Sequence, residues 1–426
     1  MFIYPGIELL FLHLSYIHKH MIRPTRIGIL RETKNPPDRR VAITPQQGIH
    51  LLRSYPNINI FIQPSDIRCY SDAEYRKAGF FLTEDLRECD ILIGVKEVAI
   101  PTLIPNKKYL FFSHTAKEQS FNRKLLQEVL KRHITLIDYE YLCDENRKRV
   151  VAFGYWAGIV GAYKALRARG VRTDSFDLPP AIRCHDLAEM HRHLKDVSLK
   201  PIKILITGNG RVAKGAMKTI AVLNIKKVSP NEFLTEKFDE AVVCQLASKD
   251  YVERLDGKPY NKNHFHNYPE LYRSSFKPYS KVADMFIPCH YWNPKAPKFL
   301  SPEDYKEDDF KISIIADISC DVGGPIPSTL RASTTDSSFY GYDRFSGEEA
   351  IPFIDKQNVT VMAVDNLPGE LPREASKDFG QALTDHVFAA LLGEADKGII
   401  ERASIAKDGN LTPYFSNLQD YVYETE

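Results

Sequence analysis

The chain is arranged around Ile202-Lys203-Ile204-Leu205-Ile206-Thr207-Gly208-Asn209-Gly210-Arg211-Val212-Ala213-Lys214-Gly215-Ala216-Met217. The first six residues are nearly all apolar and read as a short buried strand. The remainder opens as a glycine turn and continues as a helix. Small residues at Gly208, Gly210 and Ala213 suit a tight turn, a close approach of backbone amides to a pyrophosphate, and a helix packed hard on its strand. The helix N-terminus then offers unpaired N–H groups to the anion. With a strand before it and a helix after it, the stretch reads as a dinucleotide site. Its candidate cofactor contacts are Gly208, Gly210, Arg211, Val212 and Ala213.

Similar strands stand on both sides. Upstream, Arg26–Leu30, Asp90–Val95, Tyr109–Phe112 and Thr135–Glu140 are short apolar runs separated by helical or turn sequence. Downstream come Lys226–Val228, Ala241–Cys244, Asp284–Pro288, Ile312–Asp317 and Val359–Val364. Strands alternating with helices predict parallel α/β sheets, with ligands held at the carboxyl ends of the strands. Lys96, His114 and Glu140 all fall at such ends. Thr44-Pro45 reads as a helix start. Tyr155–Arg169 reads as a helix whose Ala157, Gly158, Gly161 and Ala162 line one side for close packing. Ser229, just after the strand at 226–228, takes the place of a ribose-binding acid. With lysines beside it and no acid there, NAD and NADP both stay open. Asp256–Ser280 reads as a loop insertion, and a helix is expected from Arg373 to Leu392.

Length and composition frame these expectations. A chain of 426 residues predicts about two domains. The boundaries expected are a tail at 1–21, one domain from 22–165 with 370–426, and a second at 166–369. The tail is apolar but too short to span a bilayer, and Met21 opens a cleaner strand pattern. A net charge of +2 points to neither a nucleic acid nor a membrane partner. Seven scattered cysteines without paired spacing favour reduced thiols and a cytoplasmic location. His191-x-His193 and His264-x-His266 lack the spacing that puts two ligands on one helical face, so no metal site is expected.

Several blocks together resemble the lysine-forming saccharopine dehydrogenases and lysine–ketoglutarate reductases, in the wider group of alanine dehydrogenase and the transhydrogenase nucleotide-binding subunits. The matching blocks are Gly28-Ile29-Leu30-Arg31-Glu32-Thr33-Lys34, Gly94-Val95-Lys96, Phe111-Phe112-Ser113-His114-Thr115-x-Lys117-x-Gln119 and Arg149-Val150-Val151-Ala152-Phe153-Gly154. The glycine turn, Ala316-Asp317-Ile318-Ser319-Cys320-Asp321 and Asp365-Asn366-Leu367-Pro368-x-x-Leu371-Pro372-Arg373-Glu374-Ala375 complete them. They run in order over nearly the whole chain.

The resemblance implies two Rossmann-like domains with an active site in the cleft between them. It implies NAD(P)-dependent oxidative cleavage of saccharopine to L-lysine and 2-oxoglutarate, or the reverse condensation. Lys96 and His114 match the acid–base pair of that family, and Arg31 and Arg149 match its carboxylate-binding arginines. Lys117 and Glu140 match nearby charged positions. Asp317 matches an acid beside the nicotinamide, and Ile318 and Leu367 match cofactor-packing positions. Taken without the resemblance, each charged residue is equally a strand-end cap or a solvated charge. Two other readings compete: an alanine dehydrogenase-like enzyme on a smaller amino acid, and an inactive NAD(P)-binding sensor or subunit. The expected partner is a small molecule, and monomer and homo-oligomer both stay open.

Overall fold

A computed structural model describes residues 23–394 and 397–423. The expectations for the tail at 1–21 lie outside these residues. The chain forms two compact units, Met1–Ala152 with Ser376–Glu426, and Phe153–Ala375.

The first unit is built on strands β1 (Thr25–Ile29), β2 (Ile58–Ile62), β3 (Phe81–Leu82), β4 (Ile91–Ile93), β5 (Lys108–Phe111) and β6 (Thr135–Asp138). They lie parallel in the order β3-β2-β1-β4-β5-β6. Strand Ser404–Lys407 adds antiparallel to β6, and Asn410–Leu411 pairs with it in turn. Ile91, Leu92 and Ile93 are all buried because a parallel sheet is covered on both faces. The helix Pro45–Ser54 starts as expected, with the Thr44 hydroxyl and the Gln47 side chain closing a capping box.

The second unit holds β7 (Lys203–Thr207), β8 (Lys226–Val228), β9 (Val242–Leu246), a separate hairpin of β10 (Val252–Arg254) and β11 (Tyr272–Ser274), β12 (Met285–Pro288), β13 (Ile314–Ala316), β14 (Tyr340–Tyr342), β15 (Glu349–Ala350) and β16 (Val359–Met362). The sheet runs β15-β14-β16-β13-β12-β7-β9-β8, with every pairing parallel except those that β14 makes with β16 and β15. Leu205, Phe233, Phe276, Phe286, Phe299 and Tyr305 belong to the core on one side of this sheet.

Two helices of the second unit, Gly154–Thr173 and Arg211–Ile220, touch backbone to backbone. A Cβ placed on Gly158 would stand 1.9 Å from the Val212 carbonyl oxygen, and one on Gly215 would stand 2.0 Å from that of Tyr155. Gly161 makes room for Ile318 in the same way. The small-residue stripe is therefore a packing device. It also moves the boundary: a division at 165/166 would cut through this helix, so the units separate at 152/153 instead.

The stretch 256–280 is not a plain loop. It contains the helix Lys262–Asn267, strand β11 and the helix Lys277–Ser280, and Tyr272 is buried against Phe265 with ring centroids 4.9 Å apart. The helix expected over 373–392 divides into Pro372–His386 and Phe388–Leu391. Among the described residues no helix is long and apolar enough to cross a membrane.

Candidate active site

In the first unit the carboxyl ends of β1, β4, β5 and β6 carry one connected set of charged side chains. β1 leads through Leu30 and Arg31 to Glu32, which is buried. The Glu32 carboxylate accepts the N–H of Val95 (2.7 Å) and of Lys96 (2.8 Å), fixing the chain as it leaves β4. Burial outweighs those donors and raises the Glu32 carboxyl to about 7. The Lys96 amine is held below its ordinary value, first by burial and then by the nearby cations Arg40 and Lys34. Arg40 is itself buried and paired with Asp38 at 2.5 Å.

Glu97 joins this group to β5. Its Oε2 accepts from Lys34 at 2.9 Å and its Oε1 lies 2.5 Å from His114 Nδ1. Burial alone would raise the Glu97 carboxyl, but the His114 and Lys34 contacts prevail and hold it at about 2. An ionised Glu97 can only accept, so His114 Nδ1 carries the proton in this contact. His114 sits at φ 55, a left-handed conformation that costs a non-glycine residue on the order of 1 kcal/mol or more. Asp138 holds that turn from below, accepting the Ser113 hydroxyl (2.5 Å) and N–H (2.9 Å) on one oxygen and the Glu140 N–H (2.7 Å) on the other.

The Phe112 ring stacks on His114 at 6.3 Å and receives the Arg149 guanidinium at 5.4 Å. Arg149 and Lys117 both approach Glu140, at 3.7 and 3.5 Å. Arg31 pairs with Glu84 at 2.9 Å. With Lys96, Glu32, Glu97 and Arg87, Arg31 and Glu84 line a cavity of about 310 Å³. Of the six residues expected in this unit, His114, Arg149, Glu140 and Lys117 are joined in one chain of contacts through Phe112, with Glu97 on the other side of His114, while Arg31 and Lys96 line the same cavity. Sequence reasoning missed Glu32, Lys34, Asp38, Arg40, Glu97 and Asp138 as members of the set. The available signal was a run of charges, Arg31 to Arg40, directly after a buried strand.

In the second unit Gly208 has φ +96, and a Cβ there would stand 2.6 Å from the Cys289 carbonyl oxygen. Gly210 is different: it caps the helix Arg211–Ile220 with open space around it. Ala213 is fully buried. Arg211 and Val212 start the helix, Val212 packing beside Gly154.

Ser229, Asp317, Ile318 and Leu367, expected at the cofactor, each have a structural part in this unit. Ser229 follows β8, and β8 is an edge strand separated from β7 by β9. The strand end adjacent to the glycine turn is that of β9, where Gln245 donates to the Gly208 carbonyl at 2.9 Å. Ser229 instead caps the helix Pro230–Thr235 in a capping box with Glu232. Asp317 is fully buried and accepts from Ser319, Cys320 and Thr329, which makes it the anchor of its own turn. Ile318 and Leu367 direct their side chains at Gly161, inside the core.

Comparison with known proteins gives this geometry a family. Residues 28–160 match the family described as Alanine dehydrogenase/PNT, N-terminal domain. Over 93% of its length the chain is 30% identical to an alpha-aminoadipic semialdehyde synthase of Arabidopsis thaliana. A saccharopine dehydrogenase [NAD(+), L-lysine-forming] of Yarrowia lipolytica is 27% identical, with 85% of this chain and 91% of that one aligned. The chain is a homologue of the saccharopine dehydrogenases. It spans 41% of the length of the Arabidopsis protein, less than half of it. The fold of this saccharopine dehydrogenase homologue is also that of an L-alanine dehydrogenase, with a TM-score of 0.61 at 16% identity over 93% of this chain and all of the other.

Proposed function

We propose that the chain catalyses the NAD(P)-dependent oxidative cleavage of saccharopine to L-lysine and 2-oxoglutarate, or the reverse reductive condensation. The observation that carries this reading is the Lys34–Glu97–His114 network beside a half-buried Lys96 whose amine is held below its ordinary value. Oxidising a secondary amine, adding water to the imine and collapsing the carbinolamine need proton acceptors and donors working near neutral pH. His114 Nε2, with Nδ1 tied to Glu97, is built to take a proton. Lys96 Nζ, which burial and two cations hold below its ordinary value, can give and take one as well. Saccharopine carries three carboxylates, and Arg31, Arg149 and Lys117 supply cationic groups around the same strand ends.

The glycine turn of the second unit fits a dinucleotide. Gly208 leaves no room for a side chain, and Gly210 has open space at the N-terminus of a ten-residue helix, an end that suits an anion. Gly208, Gly210, Arg211 and Ala213 would hold the pyrophosphate, and the bound nicotinamide would supply the hydride acceptor. The seven cysteines are all free thiols, which supports a reducing compartment such as the cytoplasm.

One assay tests the reading: purified protein with lysine, 2-oxoglutarate and either reduced cofactor, followed by absorbance. Oxidation that requires both substrates is the expected result. Turnover with pyruvate and ammonia alone would point to an alanine dehydrogenase-like activity, and cofactor binding without turnover to a sensor.

A further inference from the structure

The helix Leu187–Lys195 of the second unit presents two different faces. Met190 and Leu194 are fully buried and fix it to the core. Ala188, His191, Arg192 and Lys195, at the i, i+3, i+4 and i+7 spacing of one helical face, border a cavity of about 650 Å³. The opposite wall is the turn Ala221–Leu223, which continues the helix Arg211–Ile220. Val222 and Leu223 make that wall apolar, and both are only half-buried.

Charge on the first wall is unbalanced. The acids at the start of its helix are engaged elsewhere: Asp186 caps the helix by accepting the Glu189 N–H and approaches His185, and Glu189 approaches His193. Among the described residues Arg192, Lys195 and the nearby Lys218 form no ion pair, and no acid lines the cavity. Burial first, and then the charges of Lys218 and Lys195, hold the His191 imidazole below its ordinary value, so two lysines from different helices converge on it. Its Nε2 is buried with no hydrogen-bond partner among the described residues, a polar atom that the fold does not use.

A space of this size holds a small molecule, and its two walls ask for opposite ends of one. A single carboxylate is matched by one guanidinium. Three cations beside an imidazole suit a phosphate monoester, which carries about −1.5 to −2 charge at neutral pH and three strong acceptor oxygens. We propose that this cavity binds a phosphomonoester with a small apolar body, its phosphate on Arg192, Lys195 and Lys218 and its body against Val222 and Leu223. The cavity lies at the far end of the ten-residue helix that opens at the glycine turn, roughly 15 Å along the axis. Its occupant therefore does not compete with a dinucleotide, and the site is independent of the reaction proposed above.

The test is calorimetry on the full chain at constant ionic strength, with phenyl phosphate, inorganic phosphate and benzoate as probes. Phenyl phosphate should bind one to one, about tenfold or more tighter than inorganic phosphate because the ring adds apolar burial, and tighter than benzoate because its head carries more charge. Arg192→Gln combined with Lys195→Gln, both at exposed positions, should weaken phenyl phosphate by about tenfold or more while circular dichroism shows the fold intact. Saturating NAD should leave the phenyl phosphate affinity of the wild type unchanged. Competition with NAD, or equal binding by wild type and double variant, would put the anion at another place and overturn the site. Equal affinity for phenyl phosphate and inorganic phosphate also overturns it, because the apolar wall then takes no part, and so does a wild type that binds none of the three. If the double variant does not fold, the probe series and the NAD competition on the wild type decide.

Discussion

The two units put ligand-facing residues at the same topological place, the carboxyl ends of parallel strands, and make them of opposite material. In the first unit the strand ends carry carboxylates, amines and an imidazole in pairs, each held by a partner from another strand. In the second the glycine turn carries no acid: Gly208 is demanded by a carbonyl 2.6 Å from its missing Cβ, and Asp317 is sealed in its own turn. One unit is prepared for proton chemistry and the other for backbone contact with an anion. Substitutions should therefore fail in different currencies, rate in the first and shape or affinity in the second.

The largest effect expected is on rate. Lys96→Met and His114→Gln should each lower turnover of the proposed reaction by about a hundredfold or more, the usual scale of acid–base catalysis, while cofactor affinity holds. Steady-state kinetics with a direct cofactor titration would check this. Rates within a factor of two of wild type would remove both residues from the chemistry and dissolve the contrast between the units.

Next come the glycines. Gly158→Ala pushes a methyl to 1.9 Å from the Val212 carbonyl and should cost about 3 kcal/mol or more in chemical unfolding, the upper range of overpacking. Gly210→Ala meets nothing within 4 Å and should leave stability within about 0.5 kcal/mol of wild type. Any loss at Gly210 should appear as weaker dinucleotide binding instead. Equal destabilisation by both substitutions would mean that the turn is merely structural.

The strands of both sheets were legible because parallel strands buried on both faces are continuous apolar runs, as Ile91-Leu92-Ile93 and Lys203–Thr207 are. β2 was harder, since Ile58, Ile60 and Ile62 alternate with exposed or half-exposed neighbours, and the two-residue strands carry no period at all. The glycine turn was legible because its requirement is steric and local. Strand order was not: nothing in Lys226-Lys227-Val228 reveals that β9 intervenes between it and β7. The charged set was only half legible. Lys96 and His114 stand at strand ends that can be read off the sequence, whereas Glu32 and Asp138 matter through bonds to residues 64 and 25 positions away.

Acid and base should separate the carboxylates of the first unit by sign. Glu32 is raised from 4.5 to about 7, so the stability it contributes is complete below about 4.5 and is lost as pH rises through 7. Glu97 is lowered to about 2, so its contribution is present above about 4.5 and is lost as pH falls through 2. Thermal unfolding of Glu32→Gln should lack the decline between pH 4.5 and 7, worth on the order of 2 kcal/mol across that window, while Glu97→Gln should keep it. The same decline in Glu32→Gln would assign it to another group.

The smallest effect sharpens the comparison most, because it separates two meanings of one serine. If Ser229 met the ribose of a dinucleotide, Ser229→Ala would weaken binding and leave the fold alone. The structure makes it the cap of the helix Pro230–Thr235, at the end of an edge strand with β9 between it and the glycine turn. Removing a serine cap costs about 1 kcal/mol, and a six-residue helix has few other contacts with which to absorb the loss. Ser229→Ala should therefore lower the unfolding midpoint slightly and leave the dinucleotide dissociation constant within a factor of two. Ser229→Asp, which keeps a capping oxygen, should restore the midpoint, and the acid it adds should not raise the preference for NAD over NADP. A shift in that preference would put β8, and not β9, in the role of the ribose-reading strand.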